Sequence, residues 1–142
     1  HDTPYLLEQA VVGAELSVAC WEDQVIGSVE IVPKRAFYDY EAKYGAADTA
    51  YYIPPRVSDA QRDAAESMAL AAHRSLGCQS LCRTDVMVNE DGAFVLETNT
   101  LPGMTATSLV PKIAAAEGID FPSLISRVLE KAVVQGQKGP KA

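Results

Sequence analysis

The 142 residues of the chain predict an α+β domain made of two β-hairpins, two or three helices and one long loop. Three observations carry that prediction. Residues 14–20 alternate in polarity and are answered by a β-branched run at 25–32. A second pair of runs, 80–88 and 93–99, flanks Asn89-Glu90-Asp91-Gly92, and a capped stretch of good helix formers fills 58–77. Composition permits such a domain: 48% hydrophobic and 22% charged residues are ordinary for a globular protein. A chain of this length is one domain or a fragment of a larger one, able to bury roughly two thirds of its unfolded surface.

Taken in order, Tyr5-Leu6-Leu7-Glu8 reads as the interior of a sheet with no lead-in, so the chain is expected to begin inside a larger protein. The first hairpin turns at Trp21-Glu22-Asp23-Gln24. From Pro33 to Pro55 the sequence carries five tyrosines, mixed charges and no clean period. A loop that long in a compact domain is usually a lid or a binding loop, and a mobile lid over 35–53 is expected. Ser58-Asp59-Ala60-Gln61 is a capping box, and Gly77 supplies a left-handed stop. The helix between them is expected to pack a small-sided stripe, Ala64, Met68, Ala71 and Ala72, on the sheet. His73, in its last turn, reads as structural rather than as a ligand.

Charge and cysteines exclude several classes. Nineteen acidic against twelve basic residues leave −7, so a broad basic footprint for nucleic acid or anionic lipid is absent. No run reaches the ~18 apolar residues of a membrane span, and the start lacks the order of a signal peptide. A soluble protein with no membrane or nucleic-acid partner is expected. Cys20, Cys78 and Cys82 are odd in number, and no second Cys or His pair stands near Cys78 and Cys82 to complete a zinc site. They read as buried free thiols in a reducing compartment.

The second hairpin carries the chemistry. Period 2 puts Leu81, Arg83, Asp85 and Met87 on one face of its first strand, and Ala93, Val95, Glu97 and Asn99 on one face of its second. A three-residue loop, Glu90 to Gly92, pairs Asn89 with Ala93, hence Asp85 with Glu97 and Arg83 with Asn99. Two carboxylates and an amide oxygen on one face repel unless a cation joins them, and hard oxygen donors suit Mg²⁺. A solvated face in which Arg83 pairs with Asp85 or Glu97 fits the same spacing. Downstream, Thr100-Leu101-Pro102-Gly103-Met104-Thr105 is a loop whose glycine can bring its N–H against a ligand, and Ser108-Leu109-Val110-Pro111 opens a helix whose free N–H groups suit an anion. A plain Pro-Gly turn before an N-capped helix is the alternative.

These residues carry a resemblance. Glu8 to Ala19 (EQAVVGAELSVA), Phe37 to Tyr44 (FYDYEAKY), Arg83 to Met87 (RTDVM) and Glu97 to Pro111 (ETNTLPGMTATSLVP) resemble, in order and spacing, the carboxyl-terminal half of the D-alanine–D-alanine ligase family, within the ATP-grasp class. The likeness runs to about residue 135, so 1–135 is expected to be the carboxyl-terminal ATP-grasp subdomain and 136–142 a disordered tail. It implies a mainly antiparallel sheet flanked by helices, with a long lid loop. It also implies ATP-dependent joining of two D-alanine molecules through an acyl phosphate, serving peptidoglycan precursors, cell-wall biogenesis and cell shape in the cytoplasm.

The roles implied by the resemblance are specific. Glu8, Gln9 and Val11 would form the hinge strand that reads adenine, Glu15 would hold the ribose, and Phe37 and Met87 would pack near the nucleotide. Asp85, Glu97 and Asn99 would bind two Mg²⁺ ions, or Mn²⁺ in their place, that bridge the ATP phosphates. Lys43 would reach the transferred phosphate from the lid, with Tyr44 beside it at the substrate. Arg83 and the N–H of Gly103 would stabilise the oxyanion, and Ser108 and Leu109 would hold the carboxylate of the second D-alanine. Cys82 stands where the family usually has glycine. The expected partners are D-alanine, the amino-terminal and central parts of the ligase, and a second copy in a homodimer of the full-length protein, so this chain alone is expected to be inactive. Two rivals stand beside this reading: another ATP-grasp carboxylate–amine ligase, and a non-catalytic nucleotide-binding module.

Overall fold

The computed structural model describes residues 4–33 and 49–136. The elements are β1 (Ala14–Trp21), β2 (Gln24–Pro33), β3 (Thr49–Tyr52), α1 (Asp59–Ser75), β4 (Cys82–Asn89), β5 (Gly92–Asn99), α2 (Leu109–Ala116) and α3 (Phe121–Gly136). The strands form one five-stranded sheet in the order β3-β2-β1-β4-β5, and every neighbouring pair is antiparallel.

Alternation along the strands divides the sheet into two faces. Leu16, Val18 and Cys20 of β1 and Cys82, Val86 and Val88 of β4 meet Ala65 and Ala69 of α1. Ala19 and Val29 on the other face pack with Leu81, Val110, Ile113, Ala114 and Leu124 beneath α2 and α3. Burying these side chains removes them from water at roughly 25 cal/mol per Å² of apolar area, and it fixes which residues of each strand are left to face the uncovered part of the second face.

Several local expectations hold. The first hairpin turns at Glu22-Asp23, since Trp21 pairs with Gln24. Ser58 caps α1, accepting from the Gln61 N–H while the Gln61 side chain accepts from the Ser58 N–H. At the other end Gly77 adopts φ +66°. There the Cys78 N–H reaches the His73 carbonyl at 3.1 Å and the Gly77 N–H the Arg74 carbonyl at 3.0 Å, the paired bonds of a Schellman stop.

Four expectations are corrected. The buried stripe of α1 is Ala65, Ala69 and His73, not Ala64, Met68, Ala71 and Ala72; Met68 and Ala71 are exposed. A helix so rich in alanine offers several small stripes, and the contact with β4 and β5 selects among them. The loop between Pro33 and Pro55 contains an edge strand, β3, too short at four residues to display a period. Of the mobile lid expected over 35–53, residues 35–48 lie outside the described residues and 49–52 form β3. Residues 4–13 form no strand, and Tyr5, Leu6 and Leu7 are exposed; at the end of the segment the Asn89 amide donates to the Val12 carbonyl. Apart from Gly136, the last residue of α3, the expected tail lies outside them too.

The fourth correction concerns the second hairpin. Its loop has two residues, Glu90 and Asp91, because Asn89 pairs with Gly92. That register alone would set Asp85 against Leu96. A β-bulge at Leu96 shifts it by one, so that Val86 pairs with Val95 but Asp85 pairs with Glu97 and Arg83 with Asn99. Ala93 and Val95 therefore join the α1 core, whereas Glu97 and Asn99 turn to the opposite face.

Candidate functional site

Strand register assembles the site. Ser17 of β1 lies opposite Asp85 of β4, Glu15 opposite Met87, and Asp85 opposite Glu97 of β5. Residues directly opposite share a face, so these side chains gather above the part of the sheet that α2 and α3 leave open. A cleft of about 510 Å³ stands there, lined by Glu15, Ser17, Ile31, Tyr51, Arg83, Asp85 and Asn99 on the sheet side and by Pro102, Gly103, Thr105, Thr107, Ser108, Leu109 and Val110 from the loop and helix that follow β5.

The charges in the cleft are arranged around Asp85, which is 7% exposed. Arg83 holds it with two parallel bonds, Nε to Oδ1 at 3.0 Å and Nη2 to Oδ2 at 2.8 Å. The Ser17 hydroxyl donates to the same Oδ1. Glu97 is exposed, and one of its oxygens lies 3.6 Å from Arg83 Nη2. Asn99 spends its amide oxygen on the Leu101 N–H at 3.0 Å, which starts the turn into the loop. The ion pair that rivalled a metal site is therefore present. Its presence does not empty the cluster of donors: a carboxylate has about four lone-pair sites, and Glu97 keeps contact with solvent. Two carboxylates and an amide on one sheet face remain an all-oxygen set of the kind Mg²⁺ takes.

The loop wall explains Gly103. A Cβ there would lie 2.8 Å from Ser108 Oγ, closer than packed atoms tolerate, so a side chain would displace that hydroxyl from its contacts with Thr105. Ser108 takes the N-cap position of α2 but makes no side-chain cap bond. Its Oγ accepts instead from the Thr105 N–H at 3.0 Å and lies 2.8 Å from Thr105 Oγ1. The loop is thus folded onto the first turn of α2, with the helix N–H groups at one end of the cleft.

Of the residues singled out in the sequence, Glu15, Arg83, Asp85, Asn99, Gly103, Ser108 and Leu109 line the cleft. Glu97 stands beside them, next to Arg83. Met87 shares their face but does not line the cleft. Glu8, Gln9 and Val11 lie outside both the sheet and the cleft, while Phe37, Lys43 and Tyr44 lie outside the described residues. Sequence reasoning missed Ser17 and Tyr51. The signal for Ser17 was its place two residues after Glu15 in an alternating strand. Tyr51 carries Lys112 Nζ 4.5 Å from its ring centroid, a contact that only tertiary folding creates.

A second cluster lies under the α1 face. His73 Nδ1 is 2.9 Å from Cys82 Sγ, and Cys20 is the cross-strand neighbour of Cys82. The hydrogen bond from Cys20, with a further contribution from His73, lowers the Cys82 thiol below its ordinary range, and the same contact pushes Cys20 up. All three cysteines are unpaired. The sequence offered no partner for Cys78 and Cys82; His73 is that partner, carried in by the end of α1.

The family model described as D-ala D-ala ligase C-terminus matches residues 1–130. A D-alanine–D-alanine ligase of Anaeromyxobacter dehalogenans (strain 2CP-C) is 50% identical over 131 residues, which are 92% of this chain and 42% of that protein. A crystal structure of D-alanine–D-alanine ligase from Bacillus anthracis superposes with a TM-score of 0.77 at 31% identity, covering 93% of this chain and 44% of that one. The same ligase complexed with ATP superposes with a TM-score of 0.76. The chain thus spans less than half the length of the relatives it matches.

Proposed function

The chain belongs to the D-ala D-ala ligase C-terminus family, and on that footing we propose that it forms the nucleotide- and metal-binding half of an ATP-dependent ligase that joins two D-alanine molecules. The observation that carries this reading is the convergence of Arg83, Asp85, Glu97 and Asn99 across β4 and β5 beside a cleft whose other wall is the Gly103–Leu109 segment. Phosphoryl transfer asks of a protein mainly positioning and charge neutralisation, and this face offers both.

Asp85, Glu97 and Asn99 would hold the magnesium ions, with manganese as a substitute. When bound, the ions neutralise the phosphate charge during transfer to the carboxylate of the first D-alanine. Glu15 supports the ribose from β1, and Met87 lies near the nucleotide. Arg83, fixed by Asp85, presents the rest of its guanidinium toward developing negative charge, with the Gly103 N–H as second donor. Ser108 and Leu109, at the start of α2, orient the carboxylate of the second D-alanine so that its amine meets the acyl phosphate. Lys43 and Tyr44 complete the site from 34–48 at the phosphate and the substrate, Phe37 packs near the nucleotide, and the backbone of Glu8, Gln9 and Val11 reads adenine. Three unpaired cysteines and a nucleotide substrate favour a cytoplasmic setting, and among the described residues no helix is long and apolar enough to cross a membrane.

The test is phosphate release and dipeptide formation from ATP and D-alanine, by this chain alone and with the amino-terminal part of a relative supplied separately. Holding both substrates in attack geometry is worth ~7–11 kcal/mol of barrier, so the chain alone is expected to show no turnover and the mixture to show some. Turnover with a different carboxylate and amine but not with D-alanine would assign the site to another ATP-grasp ligase. Nucleotide binding without turnover in any mixture would assign it to a non-catalytic module.

A further inference from the structure

His73, Cys78 and Cys82 are brought together by the end of α1. The left-handed turn at Gly77 folds the chain back so that the Cys78 N–H bonds the His73 carbonyl, and four residues after Cys78 the chain enters β4 at Cys82. The resulting H-x₄-C-x₃-C sequence sets one imidazole and two thiols side by side, their ligand atoms all within 4.8 Å of one another. Around a tetrahedral zinc ion, bonds of about 2.0–2.1 Å to nitrogen and 2.3 Å to sulfur place neighbouring ligand atoms roughly 3.5–3.8 Å apart. Small side-chain rotations close that difference.

A second observation is independent of that spacing. His73 is 1% exposed, so its imidazole is withdrawn from water, with Nδ1 the ring nitrogen turned to the Cys82 thiol at 2.9 Å. A buried imidazole beside two thiols is what a soft metal ion uses, and thiols with imidazole select zinc-like ions over magnesium.

We infer that His73, Cys78 and Cys82 form a binding site for a soft divalent cation of the zinc type, on the face of the sheet opposite the cleft. Each ligating thiol gives its proton to solvent as the sulfur–metal bond forms. The fourth tetrahedral position falls to water or to Cys20, whose thiol contacts Cys82. Cys78 is only half-buried, so an ion reaches the site without opening the core. The ion clamps the end of α1 to the start of β4, one residue before Arg83, and its role is structural. The site does not depend on the ligase reading, since none of its residues lines the cleft.

The test is titration of the reduced protein with cobalt(II) as a coloured substitute, followed by displacement with zinc. One equivalent is expected to bind with thiolate-to-cobalt charge-transfer absorption and the d–d bands of a tetrahedral ion. Oxygen ligation at Asp85 and Glu97 produces no thiolate band, which keeps the two sites apart. Cys78→Ser, outside any helix or strand, should weaken binding by more than the roughly 10–100-fold that loss of a mere supporting partner costs. His73→Asn should do the same if circular dichroism shows it folded; should it fail to fold, Cys78→Ser decides. Absence of a thiolate band in the wild-type protein, or unchanged affinity in folded Cys78→Ser, would overturn the assignment.

Discussion

Under α1 the sheet presents Leu16, Val18, Val86 and Val88, none more than 2% exposed, while the residues beside them in sequence, Ser17 and Asp85, face the cleft. The two surfaces are built from the same strands. Period-2 alternation lets β1 and β4 wall a core with one set of side chains and display polar groups with the other. β5 belongs to both faces in turn: Ala93 and Val95 sit with the core, and the bulge at Leu96 turns Glu97 and Asn99 to the cleft. What the contrast teaches is a division of labour: the helix-covered parts of both faces hold the fold, and the cleft groups occupy the part of the second face that the helices leave open.

Substitutions on the two faces should therefore separate. The largest effect is expected from Leu16→Ala, which empties a fully buried site between the sheet and α1. Such truncations cost about 2–5 kcal/mol, readable as a lowered urea midpoint. Gly103→Ala is expected to cost about 1–3 kcal/mol through overpacking against Ser108; thermal melting gives the stability loss, and a raised KM for the second D-alanine gives its effect on the cleft. The smallest effect is a pH dependence at Glu30, whose carboxyl is held below the ordinary glutamate range by hydrogen bonds from the Arg56 side chain and backbone. A lowered folded value means that this stabilisation is present above the ordinary glutamate range and is lost as pH falls through the folded value. Melting temperature followed on acidification should fall more steeply in the wild type than in Arg56→Ala, and parallel curves would deny the pair that role.

Much of this was legible in the sequence, for reasons that differ by region. Capping chemistry is local, so the ends of α1 followed from Ser58, Gln61 and Gly77. Alternation is local as well, so the polar side of β4 was visible at Arg83 and Asp85. The partners of Asp85 were named correctly on a mistaken geometry: an odd loop was expected, and an even loop followed by a bulge restores the same pairing. Bulges leave little trace in one sequence, since Leu96 looks like any strand residue. The stripe of α1 and the meeting of His73 with Cys82 were not legible, because alanine marks no preferred face and the approach of a helix end to a strand start depends on tertiary packing. A four-residue strand such as β3 is shorter than the window that any period needs.

That the open cleft carries the chemistry while the helix-covered surfaces carry the fold is best tested at Glu97. This side chain is exposed and makes one long contact to Arg83, so Glu97→Gln should leave stability within about 0.5 kcal/mol of the wild type. Dipeptide formation from ATP and D-alanine should be measured in the chain supplied with the amino-terminal part of a relative, alongside the melting temperature of the same preparation. The expected result is an unchanged melting temperature with turnover lost, and lost less completely when magnesium is raised. Turnover at the wild-type level in folded Glu97→Gln would contradict it.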